Sequence, residues 1–140
     1  MRTTLMAVVA AVGLVLAAVP VWAHHAFAAE FDQNKPIKVQ GSVTKWELTN
    51  PHSWIHIDVK DAEGKVVTWM IEGASPNNLY RLGLTKESLP AGTEITAEGY
   101  QAKDGSTRAV GRNITFANGK KFFLGLTEAE GARKAEDAPK

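Results

Sequence analysis

Four histidines carry most of the chemistry open to this chain: His24, His25, His52 and His56. Upstream of His24, Val21 and Ala23 supply the small residues at −3 and −1 that a secretory signal peptidase reads. Cleavage after Ala23 makes His24 the mature N-terminus. Its free amine and its own imidazole can then chelate one metal ion together. A third nitrogen from elsewhere completes a T-shaped three-nitrogen set, the geometry that tetragonal Cu(II) favours. His25, next in sequence, points elsewhere and is the poorer donor. His52 or His56 supplies the third nitrogen if the N-terminal arm folds back onto their strand. Two plainer readings stand beside this one. A histidine after a cleavage site needs no function. Cleavage after Trp22 instead would expose Ala23-His24-His25, which binds Cu(II) through deprotonated backbone amides without any fold.

His52, Trp54, His56 and Asp58 share one strand face, whereas Ile55, Ile57 and Val59 share the other and must face the core. His52 and His56 are four residues apart, or ~13 Å at the usual strand rise, so they do not chelate one ion as a pair. With Trp69 in the core, Thr68, Met70 and Glu72 project beside the histidine face. His52, at the mouth of its strand behind Asn50-Pro51, is the expected third nitrogen, and His56 is a supporting residue paired to Glu72 or Asp58. The same surface suits a second class of function. Trp54, with Met70 and Glu72 and with Trp46 and Tyr100 as neighbours, would form a stacking face for a saccharide-like organic ligand or a docking face for another periplasmic protein. Aromatic residues there can equally do no more than exclude water.

The elements that must position these residues read as strands. Ile37–Leu48 opens with Ile37, Val39, Gly41 and Val43 alternating with polar residues, and Gly41 marks a bend or bulge. Thr49-Asn50-Pro51 turns the chain into Ser53–Lys60. Asp61-Ala62-Glu63-Gly64 then connects to Val66–Gly73. Ser75-Pro76 starts a short helix over Pro76–Leu82, with Leu79 and Leu82 inward and Gly83 as its stop. Strands resume at Thr93–Lys103 and Thr107–Ala117, and Asn118-Gly119 leads to Phe122-Phe123-Leu124. Three strands, a helix and two strands make an all-β, five-stranded OB-like barrel with one short helix between strands 3 and 4. An ordinary small sandwich is the competing arrangement. The expected core is Val39, Val43, Ile55, Ile57, Val59, Ile71, Leu79, Leu82, Ile95 and Ile114, and Phe27 and Phe31 should anchor the arm against it.

Composition sets the outer bounds. Residues 1–23 hold one cation, Arg2, no acid, and an apolar run from Leu5 to Val19 too short for a confident membrane span. This reads as a cleaved signal peptide with no stable membrane span after cleavage. Residues 24–36 read as an arm, 37–124 as the barrel domain, and 125–140, dominated by Ala, Glu, Lys and Gly, as a disordered or weakly helical tail. Without Arg2 the 16 cations fall by one to match the 15 acids, so the mature chain is neutral. A neutral chain has no bulk attraction for nucleic acid. The chain has 0 cysteines, which excludes disulfides, Cys-ligated metals and thiol nucleophiles. It contains no G-x-S-x-G, H-E-x-x-H or phosphate-cradling glycine loop. Ser53 and His52 are strand neighbours on opposite faces, so they form no nucleophile–base pair. The Asn113-Ile114-Thr115 sequon lies mid-strand and is discounted. The expectation is a non-enzymatic protein.

His24-His25-Ala26-Phe27, Asn50-Pro51-His52-Ser53-Trp54, Trp69-Met70-Ile71-Glu72 and Lys103-Asp104-Gly105-Ser106 together resemble an uncharacterised family of small exported proteins of Gram-negative bacteria, a domain of unknown function. The resemblance covers essentially the whole mature chain. It implies a periplasmic location and a compact β-barrel and brings no established activity. It also implies that the terminal His-His, the Asn-Pro-His turn and the Trp-x-x-Glu strand belong to one site. The terminal histidine is similar to the copper brace of secreted copper carriers and polysaccharide monooxygenases in that residue alone, so no oxygenase activity follows. The functional expectation is a periplasmic binding protein for copper or a similar divalent ion, through His24 and a histidine of the second strand.

Overall fold

The computed structural model describes residues 29–125. Strands β1 (Phe31–Glu47), β2 (Ser53–Lys60) and β3 (Val66–Gly73) are followed by helix α1 (Pro76–Arg81), then β4 (Glu94–Ala102), β5 (Arg108–Phe116) and β6 (Lys121–Phe123). They pair in the order β3-β2-β1-β4-β5-β6, and β3 also pairs with β5 in parallel. That last pairing, Met70 to Arg108 through Glu72 to Val110, closes β1, β2, β3, β5 and β4 into a barrel-like ring. The barrel-like ring and the short helix between β3 and β4 are those expected from sequence. β6 is an addition, a short strand outside the ring on β5. Among the described residues, no helix is long and apolar enough to cross a membrane.

β1 is long because it serves two neighbours. Its first part, Phe31 to Ser42, pairs with β4, and Ser42 to Glu47 pairs with β2. Phe31–Pro36, expected in the arm, therefore belong to the sheet. The apolar–polar alternation gave no hint of this, because Pro36 and a register irregularity break the pattern there. Phe31 does anchor this end, buried with Ala102 and Val110 beside Tyr100 in a small second cluster. Phe27, the segment expected to be a signal peptide and the tail beyond Gly125 lie outside the described residues. Gly41 sits where β1 crosses from one partner to the other. A Cβ there would stand 2.1 Å from the Asp58 carbonyl oxygen, so only glycine permits the approach.

The interior is filled from the five strands of the ring by Val43, Ile55, Ile57, Ile71, Ile95, Ala97, Ala109 and Ile114, with Val39 and Val59 half-buried at its margin. Leu79 is the one residue of α1 that is buried. Leu82 is a correction to the expected core, with 41 % exposure. The helix is only six residues long, and Leu82 is its C-cap, where Gly83 turns the chain away at φ +89°. Leu84 and Leu89 from the following link, and Leu124 after β6, fill the core instead. Trp46 roofs this link, its indole N–H donating to the Thr85 carbonyl at 3.0 Å while the ring packs on the core.

Candidate functional site

The β2–β3 register sets the outer face. Ser53, Ile55 and Ile57 are buried, while Trp54, His56 and Asp58 stand outside against Glu72, Met70 and Thr68, their direct partners across the ladder. Glu47 of β1 is the partner of Trp54 on its other side. Trp54 thus stands between two glutamates, and each of them holds a histidine. His52 Nδ1 bonds Glu72 Oε1. His56 Nε2 lies 2.6 Å from Glu47 Oε2, and Lys45 Nζ lies 2.7 Å from the other oxygen of Glu47. Asp58 instead accepts from the Thr68 hydroxyl at 2.7 Å. The expected pairing of His56 with Glu72 or Asp58 is therefore corrected. Both of those carboxylates already have nearer donors, and the partner of His56 comes from β1.

The two histidine–carboxylate pairs differ in environment. The His52 side chain is 44 % exposed and that of Glu72 only 8 %, whereas His56 is 18 % exposed beside an outlying Glu47. Burial pushes the Glu72 carboxyl above its ordinary value, and His52 beside it pulls the other way. Glu47 is held below its ordinary value, first by Lys45 and then by His56. Glu72 Oε2 is buried without a hydrogen-bond partner among the described residues. With Glu72 as the carboxylate, Nδ1–H of His52 donates to it and the Nε2 lone pair is left for another partner. This is the arrangement in which a carboxylate sets the tautomer and ring angle of a metal-binding histidine.

Trp54 is not an open platform on both sides. The Arg108 guanidinium carbon lies 5.7 Å from its ring centroid, a cation–π distance, and the same guanidinium pairs with Glu30. Arg108 starts opposite Met70 on the far side of β3, so it reaches across β3 to the indole. The expected aromatic neighbours are not there. Trp46 pairs with Ile55 and faces the core, and Tyr100 packs with Phe31 and Val110. Met70 lies half-buried between His56 and Arg108. Ser53 points inward and His52 outward, as expected of strand neighbours.

Of the sequence-derived site residues, His52, Trp54, His56, Met70 and Glu72 share this one face. His24 and His25 lie outside the described residues. Sequence reasoning missed Glu47, Arg108 and Glu30. A register shift between Val43 and Lys45 breaks the parity along β1, so the outward position of Glu47 cannot be counted from Val39 and Val43. Arg108 joins the face only through the β3–β5 closure. Among the described residues, no group of three or more His, Cys, Asp or Glu side chains is placed to hold a metal ion. Any closed metal site on this face needs donors from beyond it.

Residues 10–112 match the model of a family of unknown function, DUF6152. The chain belongs to that family. No curated protein and no solved structure matches it.

Proposed function

We propose that this protein is a non-enzymatic periplasmic binding protein for Cu(II) or a similar divalent ion. After cleavage behind Ala23, the His24 amine and imidazole supply two nitrogens and His52 Nε2 supplies the third. The observation that carries this reading is the His52–Glu72 pair: an exposed imidazole whose Nδ1 is bonded by a buried carboxylate, which leaves Nε2 for a metal. The course of the chain supports it. Glu30 is paired to Arg108, and Arg108 lies on Trp54, next but one to His52. Five residues lie between His24 and Glu30, a span of up to ~20 Å over six chain steps, which gives the terminus reach toward His52 from that anchor. His56 is the weaker candidate because Glu47 and the strand around it leave its side chain largely covered.

The test is Cu(II) affinity of correctly processed protein, whose N-terminus is first read by sequencing. His52→Ala should weaken binding by at least tenfold and His56→Ala should leave it nearly unchanged. Loss of binding in His56→Ala alone would overturn the assignment of His52. A mature start other than His24 would overturn the brace itself, and copper binding that survives unfolding of the barrel would place the site in the terminal peptide.

A further inference from the structure

Away from the histidine face, the surface over β1, β4, β5 and β6 carries a cleft of about 460 Å³. That volume falls within the roughly 300–1,000 Å³ of small-ligand sites. The strand register sorts its walls into two rows. Lys38 of β1, Glu98 of β4 and Asn113 of β5 are direct partners across two ladders and make a polar row. Lys121 of β6 joins that row, with Nζ 3.3 Å from Glu98 Oε2. Two positions along, Pro36 and Tyr100 are partners across β1 and β4 and make an apolar row. All six residues line the cleft. Two residues of strand set the rows ~7 Å apart. Both rows are held in place. Tyr100 also packs beside Phe31, Ala102 and Val110, which fixes its ring. Gly99, between the rows, offers the cleft backbone only. A Cβ there would fall 1.9 Å from the Val110 carbonyl oxygen, so no larger residue can take its place. Arg112 also lines the cleft and is already engaged in an interaction of its own.

We propose that this cleft binds a neutral saccharide, one pyranose ring lying across the two rows. The chemistry of the walls selects that class. Glu98 and Lys121 neutralise one another, so the polar row offers a matched acceptor and donor rather than a net charge. An anionic ligand would meet Glu98, and a cationic one would meet Lys38 and Lys121. A wholly apolar ligand would strip water from the ion pair and from the Asn113 amide and return no hydrogen bond. Sugar hydroxyls are donors and acceptors at once. They can donate to the Glu98 carboxylate and the Asn113 carbonyl oxygen and accept from Lys121 and the Asn113 NH2 group. The C–H face of the same ring is apolar and slightly positive, which suits the negative face of the Tyr100 ring and the pyrrolidine of Pro36 beside it. The site does not rest on copper binding.

The experiment is amide NMR of the processed protein titrated with glucose, galactose, N-acetylglucosamine and cellobiose, and with glucuronate as the charged comparison. Saturable shifts confined to residues around Ile37, Gly99, Tyr100 and Asn113 are expected with at least one neutral sugar. Tyr100→Ala should weaken that binding at least tenfold, and Lys60→Gln, at the end of β2, should leave it unchanged. If loss of the Tyr100 ring loosens the Phe31 cluster, Glu98→Ala with Lys121→Ala keeps the test open, because both side chains are partly exposed and lie outside the core. The same tenfold loss is expected there. Absence of saturable shifts with every neutral sugar, shifts centred on Trp54 instead, or equal weakening by Lys60→Gln overturns the proposal. Tighter binding of glucuronate than of glucose also overturns it, since charge and not hydroxyl recognition would then govern the cleft.

Discussion

Glu72 is a carboxylate in an unusual place: nearly buried, with one oxygen on His52 and the other without a partner among the described residues. If His52 is the metal-binding nitrogen, Glu72→Gln should retain the fold and lower Cu(II) affinity by about 10–100-fold, the usual effect of removing the carboxylate behind a metal-binding histidine. Titration calorimetry on the processed protein measures it, and unchanged affinity would separate Glu72 from the site. Glu47 carries a different consequence. Its carboxyl titrates below its ordinary value because Lys45 and His56 favour the charged form. A depressed pKa in the folded state means a stabilising contribution present above the unfolded value and lost as pH falls through the folded one. Glu47→Gln should therefore flatten the acid limb of the stability–pH profile and leave its alkaline side unaltered, as followed by urea unfolding across a pH series.

At the scale of elements, β1 is the strand on which the architecture depends, because it changes partner at Gly41. Gly41→Ala would drive a methyl into the Asp58 carbonyl, and β1 would have to part from β2. The expected loss is about 1–3 kcal/mol, the usual cost of overpacking, and it should disturb the β2 face more than β5 and β6. Chemical denaturation measures the first effect and amide shifts the second. Helix α1 behaves in the opposite way. It contributes one core side chain, Leu79, and its C-cap Leu82 lies at the surface. Leu79→Ala should cost about 2–5 kcal/mol, whereas Leu82→Ala should cost well under half of that.

At the scale of the whole molecule, two joints far apart in sequence complete the ring: β3 against β5, and the segment after β6 against the core. Leu124 is fully buried, and its amide donates to the Arg112 carbonyl at 2.9 Å. Its carbonyl accepts from the amide of Ala74, at 2.8 Å, so this segment ties β5 to the start of the helical link. Ending the chain before Lys121 should therefore destabilise the entire ring cooperatively. A single thermal transition at much lower temperature is the outcome that thermal circular dichroism should record, and an unchanged transition would show β6 to be dispensable.

What the sequence determined by itself was whatever depends on local period. Ile55, Ile57 and Ile71 alternate with outward residues, so the faces of β2 and β3, the strand–helix–strand order and the grouping of His52, Trp54, His56, Met70 and Glu72 were all legible. Those inferences need only that neighbours in a strand point to opposite sides. The tertiary structure decided what depends on distance along the chain or on broken parity. Which carboxylate holds which histidine depended on Glu47 arriving from β1 past a register shift. Arg108 over Trp54 depended on the parallel closure of β3 with β5, and the replacement of Leu82 by Leu84, Leu89 and Leu124 depended on where a six-residue helix ends. In each case several partners of similar chemistry were available within the chain, and only the ring's closure brought one of them within contact distance.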